Sequence, residues 1–357
     1  MSESTTEYVA MTSNYTDLTR GAQKVIENSV PLAKEFLLNS DFLQRSENKA
    51  VTFLDLGAAD GGTALPLWRS LMEDLRKSSP TVPVTLISND LPGADFNTFF
   101  KIYESGGEDS LREHFAPFYL LGNGTPFFYQ VTGDETVDFS YSATAMHWLS
   151  QAPAQLEDHV HQVESEDEEN LKAFRALSLE NWKRILEARM SELKPGGIFF
   201  GVNFCVSPDN TYLGKTTGKS MFSTFSEIWK TLVTPEEFKA TNFPQFYRSK
   251  KDLESVAKDV GFEILEHKIV ETKCPYKERF LSGEWDAIAY AENFLPTMTT
   301  WSTSVFMNGL SSKRSEDEKK ELVQSLWLEY QKRVEENPED YQMDYVHSFL
   351  VLKKGKK

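Results

Sequence analysis

The sequence contains little cysteine and no long apolar run. Only Cys205 and Cys274 occur among its 357 residues, too few for a disulfide framework or a cysteine-rich zinc site, and this fits a reducing compartment. Nowhere do about 18 consecutive apolar residues occur that could span a bilayer. The first residues, 1–15, are polar and acidic, unlike a signal peptide. We therefore expect a cytoplasmic protein without a membrane partner.

Positive charge is also scarce, because 38 Lys and Arg residues stand against 54 Asp and Glu residues, a formal net charge of -16. Affinity for nucleic acid comes mostly from clustered Lys and Arg that neutralise phosphates, so we predict no nucleic-acid partner. Hydrophobic residues make up 40% and aromatic residues 13% of the chain. That is enough for a buried core and excludes a disordered acidic chain.

Strand and helix patterns alternate in the amino-terminal half. Apolar runs at 51–56, 84–88 and 197–202, with a weaker run at 137–141, predict strands. After the first run, apolar residues between positions 67 and 75 recur at helical spacing. Strands that alternate with helices predict a mostly parallel, doubly wound sheet, so we expect an α/β fold.

Residues 164–169 are acidic, as is typical of a solvated loop or the start of a helix. Just before them, His159 and His161 are two positions apart, so on a helix they would point about 200° away from each other. We interpret this stretch as a surface loop and not as a metal site.

From about residue 221 the sequence becomes rich in aromatic residues at helical spacing, and we predict that most of them are core. A charged amphipathic helix is expected at 316–333 and a last strand at 345–352. We predict a helical cap over the ligand-binding edge of the sheet. The cap comprises 216–244 and 271–339, and the α/β domain comprises 1–215, 245–270 and 340–357.

The segment DLGAADGG at 55–62 follows the first predicted strand. In an open parallel sheet, ligands bind beyond the carboxyl ends of the strands, where a glycine-rich turn lets the backbone approach them. The segment lacks the glycine spacing of a dinucleotide site and the Lys of a phosphate loop. Its carboxylates would repel a pyrophosphate but suit a cationic ligand.

A second acid, Asp90, closes the next predicted strand, where a carboxylate can bind both hydroxyls of a ribose. An acidic glycine turn and a ribose-binding acid, without a phosphate-binding element, indicate S-adenosylmethionine as the cofactor. On these two features alone, a chance turn in another α/β protein stays open.

Four further segments extend the pattern: NDLPGADFN at 89–97, MHWLSQAP at 146–153, SELKPGG at 191–197 and TNFPQFY at 241–247. Together with DLG at 55–57 they resemble, in the same order, the SABATH family of methyltransferases. This family methylates salicylic, jasmonic, indole-acetic and related carboxylic acids and, in one branch, xanthine-alkaloid nitrogens. The resemblance covers most of the chain up to about residue 265. It implies a Rossmann-like sheet with helices on both faces and an α-helical cap.

The resemblance also implies roles for residues at the cofactor. Asp55 and Gly57 would form the first turn, Asp90 would hold the ribose hydroxyls, and Leu91 would pack on the adenine. The remaining implied cofactor contacts are Tyr15 and Thr19 at the amino-acid end, and Phe127 and Phe128 where the family has a Ser-Phe pair at the adenine.

At the acceptor, the resemblance implies that Trp148 holds the carboxylate and that His147 and Thr144 line the pocket. Thr144 replaces a family Tyr and so reshapes the pocket. The family also has a Gln that binds the carboxylate, and its position here is Ala22. Gln23 is the neighbouring candidate for substrate binding, but it lies about 100° round a helix and cannot simply take that place.

Some family members carry a magnesium ion near an Asp-x-Phe-Asn string. Here Lys239, Thr241 and Asn242 occupy those positions, so we predict no metal.

Methyl transfer from a sulfonium is an in-line displacement that depends on positioning and requires no covalent enzyme intermediate. A carboxylic acid, whose pKa is ordinarily about 4, is already ionised at neutral pH and requires no general base. We therefore predict a carboxyl O-methyltransferase that converts a small organic acid to its methyl ester. His147 and Trp148 are the predicted catalytic residues. Homodimerisation is common in the family and is compatible with the sequence.

Two alternatives stay open. N-methylation of a heterocycle or amine is favoured by Ala22 and by His147 as a candidate base. A catalytically silent member that binds the cofactor or a small acid as a sensor is also compatible with Ala22.

Overall fold

The computed structural model describes residues 15–38, 50–104 and 110–356. The polar start of the chain, from which we predicted the absence of a signal peptide, lies outside these residues except for Tyr15. The strands are β1 (Val51–Leu56), β2 (Val84–Asn89), β3 (Phe118–Asn123), β4 (Val137–Ala143), β5 (Leu193–Val206), β6 (Arg248–Ser249), β7 (Glu263–Thr272) and β8 (Tyr345–Lys353).

The strands form one sheet in the order β3-β2-β1-β4-β5-β8-β7, and β6 pairs with β5 outside this path. Strands β1 to β5 run parallel, whereas β8 is antiparallel to both β5 and β7. The strand order reverses between β1 and β4, and such a switch point is where open α/β sheets bind ligands. The predicted α/β fold with a mostly parallel sheet is confirmed.

Helices cover both faces of the sheet. Neighbouring side chains on a strand point to opposite faces. Phe53 of β1 stacks on Trp68 in one apolar cluster, whereas Leu54 belongs to another cluster, which contains Trp182 and Leu253. The helices are α1 (Tyr15–Leu18), α2 (Arg20–Leu38), α3 (Leu65–Ser78), α4 (Phe96–Glu104), α5 (Leu111–His114), α6 (Glu168–Glu192), α7 (Met221–Leu232), α8 (Pro235–Ala240), α9 (Lys250–Val260), α10 (Pro275–Leu281), α11 (Ala287–Gly309) and α12 (Glu316–Glu336), with 3₁₀ turns at Gly62–Ala64 and Pro338–Asp340.

The predicted strands correspond to β1, β2, β4, β5 and β8, but the sequence did not predict β3, β6 or β7. Strands β3 and β7 are the two edges of the sheet. On β3, Tyr119 and Leu121 are 55% and 51% exposed, so the strand buries little of its surface. Strand β7 carries charged residues along its length. Edge strands lack the continuous apolar pattern of buried parallel strands, which explains why they were missed.

Most aromatic residues after position 221 belong to the core, as predicted. Phe222, Phe225 and Trp229 of α7 are buried, and so is Phe306 of α11. They belong to the same apolar cluster as Phe53 and Trp68, so this helical region and one face of the sheet share a continuous core.

The surface loop predicted around residue 160 is wrong for His161, which is fully buried and stacks on Phe222 with 3.9 Å between ring centroids. The acidic run does begin a helix, since the Asp167 side chain caps α6 by accepting the N–H of Asn170. Within the described residues, no three His, Cys, Asp or Glu side chains are grouped to hold a metal ion. None of the described helices is both long and apolar enough to cross a membrane.

Glu237 of α8 links two pieces of the helical region. Arg314, between α11 and α12, donates to both carboxylate oxygens at 2.6 and 2.8 Å, and the Ser311 N–H donates at 3.0 Å. These hydrogen bonds, led by those of Arg314, lower the pKa of Glu237 to about 2. A lowered pKa means that the stabilisation is complete above the ordinary value of 4.5 and disappears as the pH falls towards 2.

Glu237→Gln should therefore lower the free energy of unfolding by about 1.5–3 kcal/mol at neutral pH, because it removes hydrogen bonds between charged groups. Urea unfolding followed by circular dichroism measures the loss. The exposed neighbour Glu236 provides the control, because Glu236→Gln should change stability by less than about 0.5 kcal/mol. A difference between wild type and Glu237→Gln that does not shrink in acid would contradict this role.

Candidate active site

A cavity opens where β1, β2 and β4 end, at the reversal of strand order. Of the residues predicted to contact the acceptor, Thr144, His147 and Trp148 line this cavity, and Gln23 does not. The predicted cofactor residues all line it: Tyr15, Thr19, Asp55, Gly57, Asp90, Leu91, Phe127 and Phe128.

The turn after β1 approaches the segment after β4 closely. Gly57 has a φ of 75°, in the left-handed region that favours glycine. A Cβ on Gly57 would lie 2.4 Å from the Cβ of Ala145, closer than two carbon atoms can pack. The N–H groups of Gly57 and Ala58 both donate to the carbonyl of Asn89, at 2.8 and 3.1 Å, which joins this turn to the end of β2. The glycine thus allows the two halves of the sheet to meet at the cavity.

Asp90 follows β2 and is held by backbone. Its carboxylate accepts the N–H of Ala59 at 2.6 Å and the N–H of Leu91 at 2.7 Å. Burial raises its pKa, and these two hydrogen bonds oppose the rise. The carboxylate therefore has a set orientation at the cavity wall, as a hydrogen-bond acceptor for a sugar requires.

Asp55 lies near the end of β1 and is 3% exposed. The indole N–H of Trp68 donates to its carboxylate at 2.9 Å. Burial raises the pKa of Asp55 to about 7, although the Trp68 bond opposes the rise. A cation in the cavity would favour the charged carboxylate, so ligand charge and the protonation of Asp55 are linked.

Helix α1 lies beside the glycine turn and contributes to the cavity wall. The Asp60 carboxylate accepts the backbone N–H of Thr16 at 3.0 Å and the N–H of Gly62 at 3.2 Å. It therefore joins α1 to the glycine turn. The position of α1 places Tyr15 and Thr19 in the cavity wall.

Arg248 anchors the segment 146–148, which carries the two predicted catalytic residues. Its guanidinium is 1% exposed and donates to the carbonyl of Met146 at 2.7 Å and to that of Ser178 at 3.0 Å. Because Met146 immediately precedes the two predicted catalytic residues, this contact determines where they lie. No role was predicted for Arg248 from the sequence, since a buried Arg that binds only carbonyls has no recognisable motif.

His147 is 3% exposed and neutral. Burial lowers its pKa well below the ordinary value of 6.5, and the neighbouring His347, His161 and Arg248 lower it further. Its Nδ1 is buried and has no hydrogen-bond partner in the described part of the chain. The neighbouring Trp148 is only partly buried, and its indole N–H has no acceptor among the described residues. Both rings thus offer uncharged groups to the cavity.

The two residues in the region of the missing family Gln contribute nothing to the cavity. Ala22 is 2% exposed and belongs to the apolar core. The Gln23 amide lies at the surface, where it donates to Glu27 at 3.2 Å and accepts from Arg20 at 3.1 Å.

Sequence reasoning missed some of the lining residues. Gln245 and Tyr247 belong to the TNFPQFY segment, which was recognised without a role for either, and Trp301 of α11 was assigned to the core. Among the lining residues the charged types are Asp55 and Asp90, and no Lys or Arg is present.

Comparison with known proteins agrees with this geometry. Residues 10–355 match the family described as SAM dependent carboxyl methyltransferase. Anthranilate O-methyltransferase 3 of Zea mays is 24% identical over 366 aligned residues, covering 95% of this chain and 93% of that protein. The 3,7-dimethylxanthine N-methyltransferase of Camellia sinensis var. assamica is 22% identical over 263 residues, 69% of each chain.

The fold is similar to a solved structure of loganic acid methyltransferase with SAH. The two share 17% sequence identity and a TM-score of 0.77, and the match covers 98% of this chain and 99% of the other. The predicted methyltransferase fold is therefore confirmed along nearly the whole chain.

We expect the affinity for S-adenosylmethionine to fall in acid, because protonation removes the Asp55 carboxylate that favours a cation. Since the pKa of Asp55 is raised to about 7, the fall should begin near neutrality. Below the pKa of Asp55, the affinity should fall by up to about tenfold per pH unit. Isothermal titration calorimetry over a pH series measures it. Asp55→Asn keeps an oxygen for Trp68 but no charge, so a pH profile that is unchanged in this variant would contradict the assignment.

Proposed function

Because the chain belongs to the SABATH family of S-adenosylmethionine-dependent carboxyl methyltransferases, we propose that its cavity places the carboxylate of a small organic acid at Trp148 for methyl transfer. The family and the cofactor predicted from the sequence are confirmed by the match over residues 10–355. The observation that carries the proposal is that the indole N–H of Trp148 has no acceptor among the described residues, in a cavity that Asp55 and Asp90 also line.

The residues at the cofactor end suit a cationic nucleoside. Two carboxylates in a lining whose described residues include no Lys or Arg favour positive charge and would repel a phosphate group. We assign Asp90 to the ribose hydroxyls, Leu91 with Phe127 and Phe128 to the adenine, and Tyr15 and Thr19 to the amino-acid end. When bound, S-adenosylmethionine supplies an electrophilic methyl group on a sulfonium.

The acceptor end orients a nucleophile and does not activate it. A carboxylate is ionised at neutral pH, so no proton has to be removed before its oxygen attacks. The indole N–H of Trp148 can donate one hydrogen bond to the acceptor, and the neutral ring of His147 forms the adjoining wall. Because both groups are uncharged, they hold the carboxylate without neutralising it. The aromatic walls exclude water from the attacking oxygen.

The N-methylation alternative would require His147 to act as a general base. An imidazole whose pKa is far below 6.5 binds protons weakly, so it is poorly matched to that role near neutral pH.

We propose that residues 216–244 and 271–339 form a cap that shapes the acceptor pocket. The α/β domain beneath it comprises 1–215, 245–270 and 340–357. Trp301 and Val305 of α11 support this division, because both line the cavity. A homodimer and a cytoplasmic location stay predictions.

We expect the purified protein to transfer a labelled methyl group to at least one acid in a panel of aromatic, terpenoid and fatty acids, including anthranilic and loganic acid. Mass spectrometry of the product should show a methyl ester. Trp148→Phe should raise the KM for that acid roughly tenfold by removing the N–H. It should leave the affinity for S-adenosylmethionine unchanged. Binding of S-adenosylmethionine without turnover on any acid would favour the silent sensor instead.

The pH dependence separates O-methylation from N-methylation. At saturating cofactor, kcat/KM for the acid should show no enzyme group titrating between about pH 6 and 8, because His147 stays neutral there and the bound cation keeps Asp55 ionised. A rate that rises through an ionisation near neutrality, and loses that dependence in His147→Gln, would indicate a base and contradict the carboxyl acceptor.

A further inference from the structure

Gln245 lies directly opposite Trp148 in the cavity wall. The two residues form an antiparallel bridge. Its flanking hydrogen bonds run from Leu149 N–H to the Pro244 carbonyl at 2.7 Å and from Phe246 N–H to the His147 carbonyl at 2.9 Å. This pattern makes Trp148 and Gln245 a non-hydrogen-bonded pair, with Cα atoms about 4.5 Å apart and side chains on the same face. Both residues line the cavity.

The side-chain amide of Gln245 is oriented by a buried histidine. Nδ1 of His161 accepts the N–H of Val163 at 3.2 Å, so the ring proton of the neutral imidazole is on Nε2. That Nε2 lies 3.3 Å from Oε1 of Gln245 and donates to it. The hydroxyl of Tyr247 donates to the same oxygen at 3.4 Å. Because both donors bind Oε1, the amide nitrogen of Gln245 points away from His161 and Tyr247.

The nitrogen of this amide has no hydrogen-bond partner among the residues that the structure describes. Gln245 is 1% exposed, and its Nε2 is shielded from solvent without a hydrogen bond within the described residues. Burying an amide N–H without a hydrogen-bond acceptor commonly lowers the free energy of unfolding by about 1–3 kcal/mol. The cost is recovered if a ligand supplies the acceptor, and an anionic oxygen is the strongest acceptor that an organic ligand can offer.

We propose that the Gln245 amide donates a second hydrogen bond to the acceptor carboxylate, beside the one from the Trp148 indole. This inference rests on the proposed function, because it requires an acid at Trp148. One donor from each member of the pair then holds the carboxylate, in the absence of any donor from Ala22 or Gln23. The pair distinguishes substrate from product, because a neutral ester accepts hydrogen bonds more weakly than a carboxylate and is released more easily.

The test compares Gln245→Met with Gln162→Met. Methionine has nearly the volume of glutamine but no amide. Gln162 is the matched control, because it is 7% exposed, also has a buried Nε2 without a partner in the described chain, and does not line the cavity. Anthranilate and loganate are the probes, with the affinity for S-adenosylmethionine as a measure of correct folding.

Gln245→Met should raise the KM for the acid roughly tenfold or more, whereas Gln162→Met should leave it within about twofold of wild type. The inhibition constant of the methyl ester product should change by less than about threefold in Gln245→Met, since a neutral ester accepts only weak hydrogen bonds from Gln245 in the wild type. Combined with Trp148→Phe, the effects should be non-additive, because both donors hold one carboxylate.

Equal KM values for the acid in Gln245→Met and Gln162→Met would overturn the inference while leaving the proposed function intact. If Gln245→Met loses cofactor affinity and is therefore misfolded, Gln245→Glu provides the second variant. It keeps the shape and places a negative charge opposite the carboxylate, so an unchanged KM there would also overturn the inference. Failure of the proposed function is recognised separately, in wild type alone, as the absence of a methyl ester from any acid of the panel.

Discussion

The contact between Gly57 and Ala145 is the constraint on which the rest of the cavity depends. These residues lie in the turns after β1 and β4, on either side of the point where the strand order reverses, and a further methyl group does not fit between them. Because the turns meet, the backbone that approaches a nucleoside and the segment that carries His147 and Trp148 form adjoining walls. Methyl transfer requires the reacting atoms to be about 3–3.5 Å apart, so a methyl donor and its acceptor have to bind on walls that adjoin in this way.

Charge is divided along the cavity in the way that methylation of an acid requires. Asp55 and Asp90 line the cavity and would favour a cationic cofactor, whereas His147, which lies beside Trp148, and His161 are kept uncharged by burial. A salt bridge would hold a carboxylate more strongly, but it would also withdraw electron density from the attacking oxygen. The net charge of -16 has little part in this arrangement, since surface charges are screened over about 10 Å.

The sequence predicted those parts of the fold and site in which one residue type is required by local chemistry. The buried strands β1, β2, β4 and β5 were recognisable because both of their faces are apolar, whereas the edge strands β3 and β7 have exposed faces and were missed. Gly57, Asp55 and Asp90 stood out because a tight turn and a carboxylate at a strand end restrict the sequence. His161 was assigned to the surface, since nothing near it in the chain indicates that Phe222 covers it.

By itself, the sequence determined the α/β class and the position of the first turn, because each depends on neighbours in the chain. Only the tertiary structure showed that Gln23 lies at the surface and that Gln245 stands opposite Trp148. That pairing joins segments almost a hundred residues apart, and the orientation of the amide depends on His161 and Tyr247. Such contacts arise when the chain packs, so no local pattern can express them.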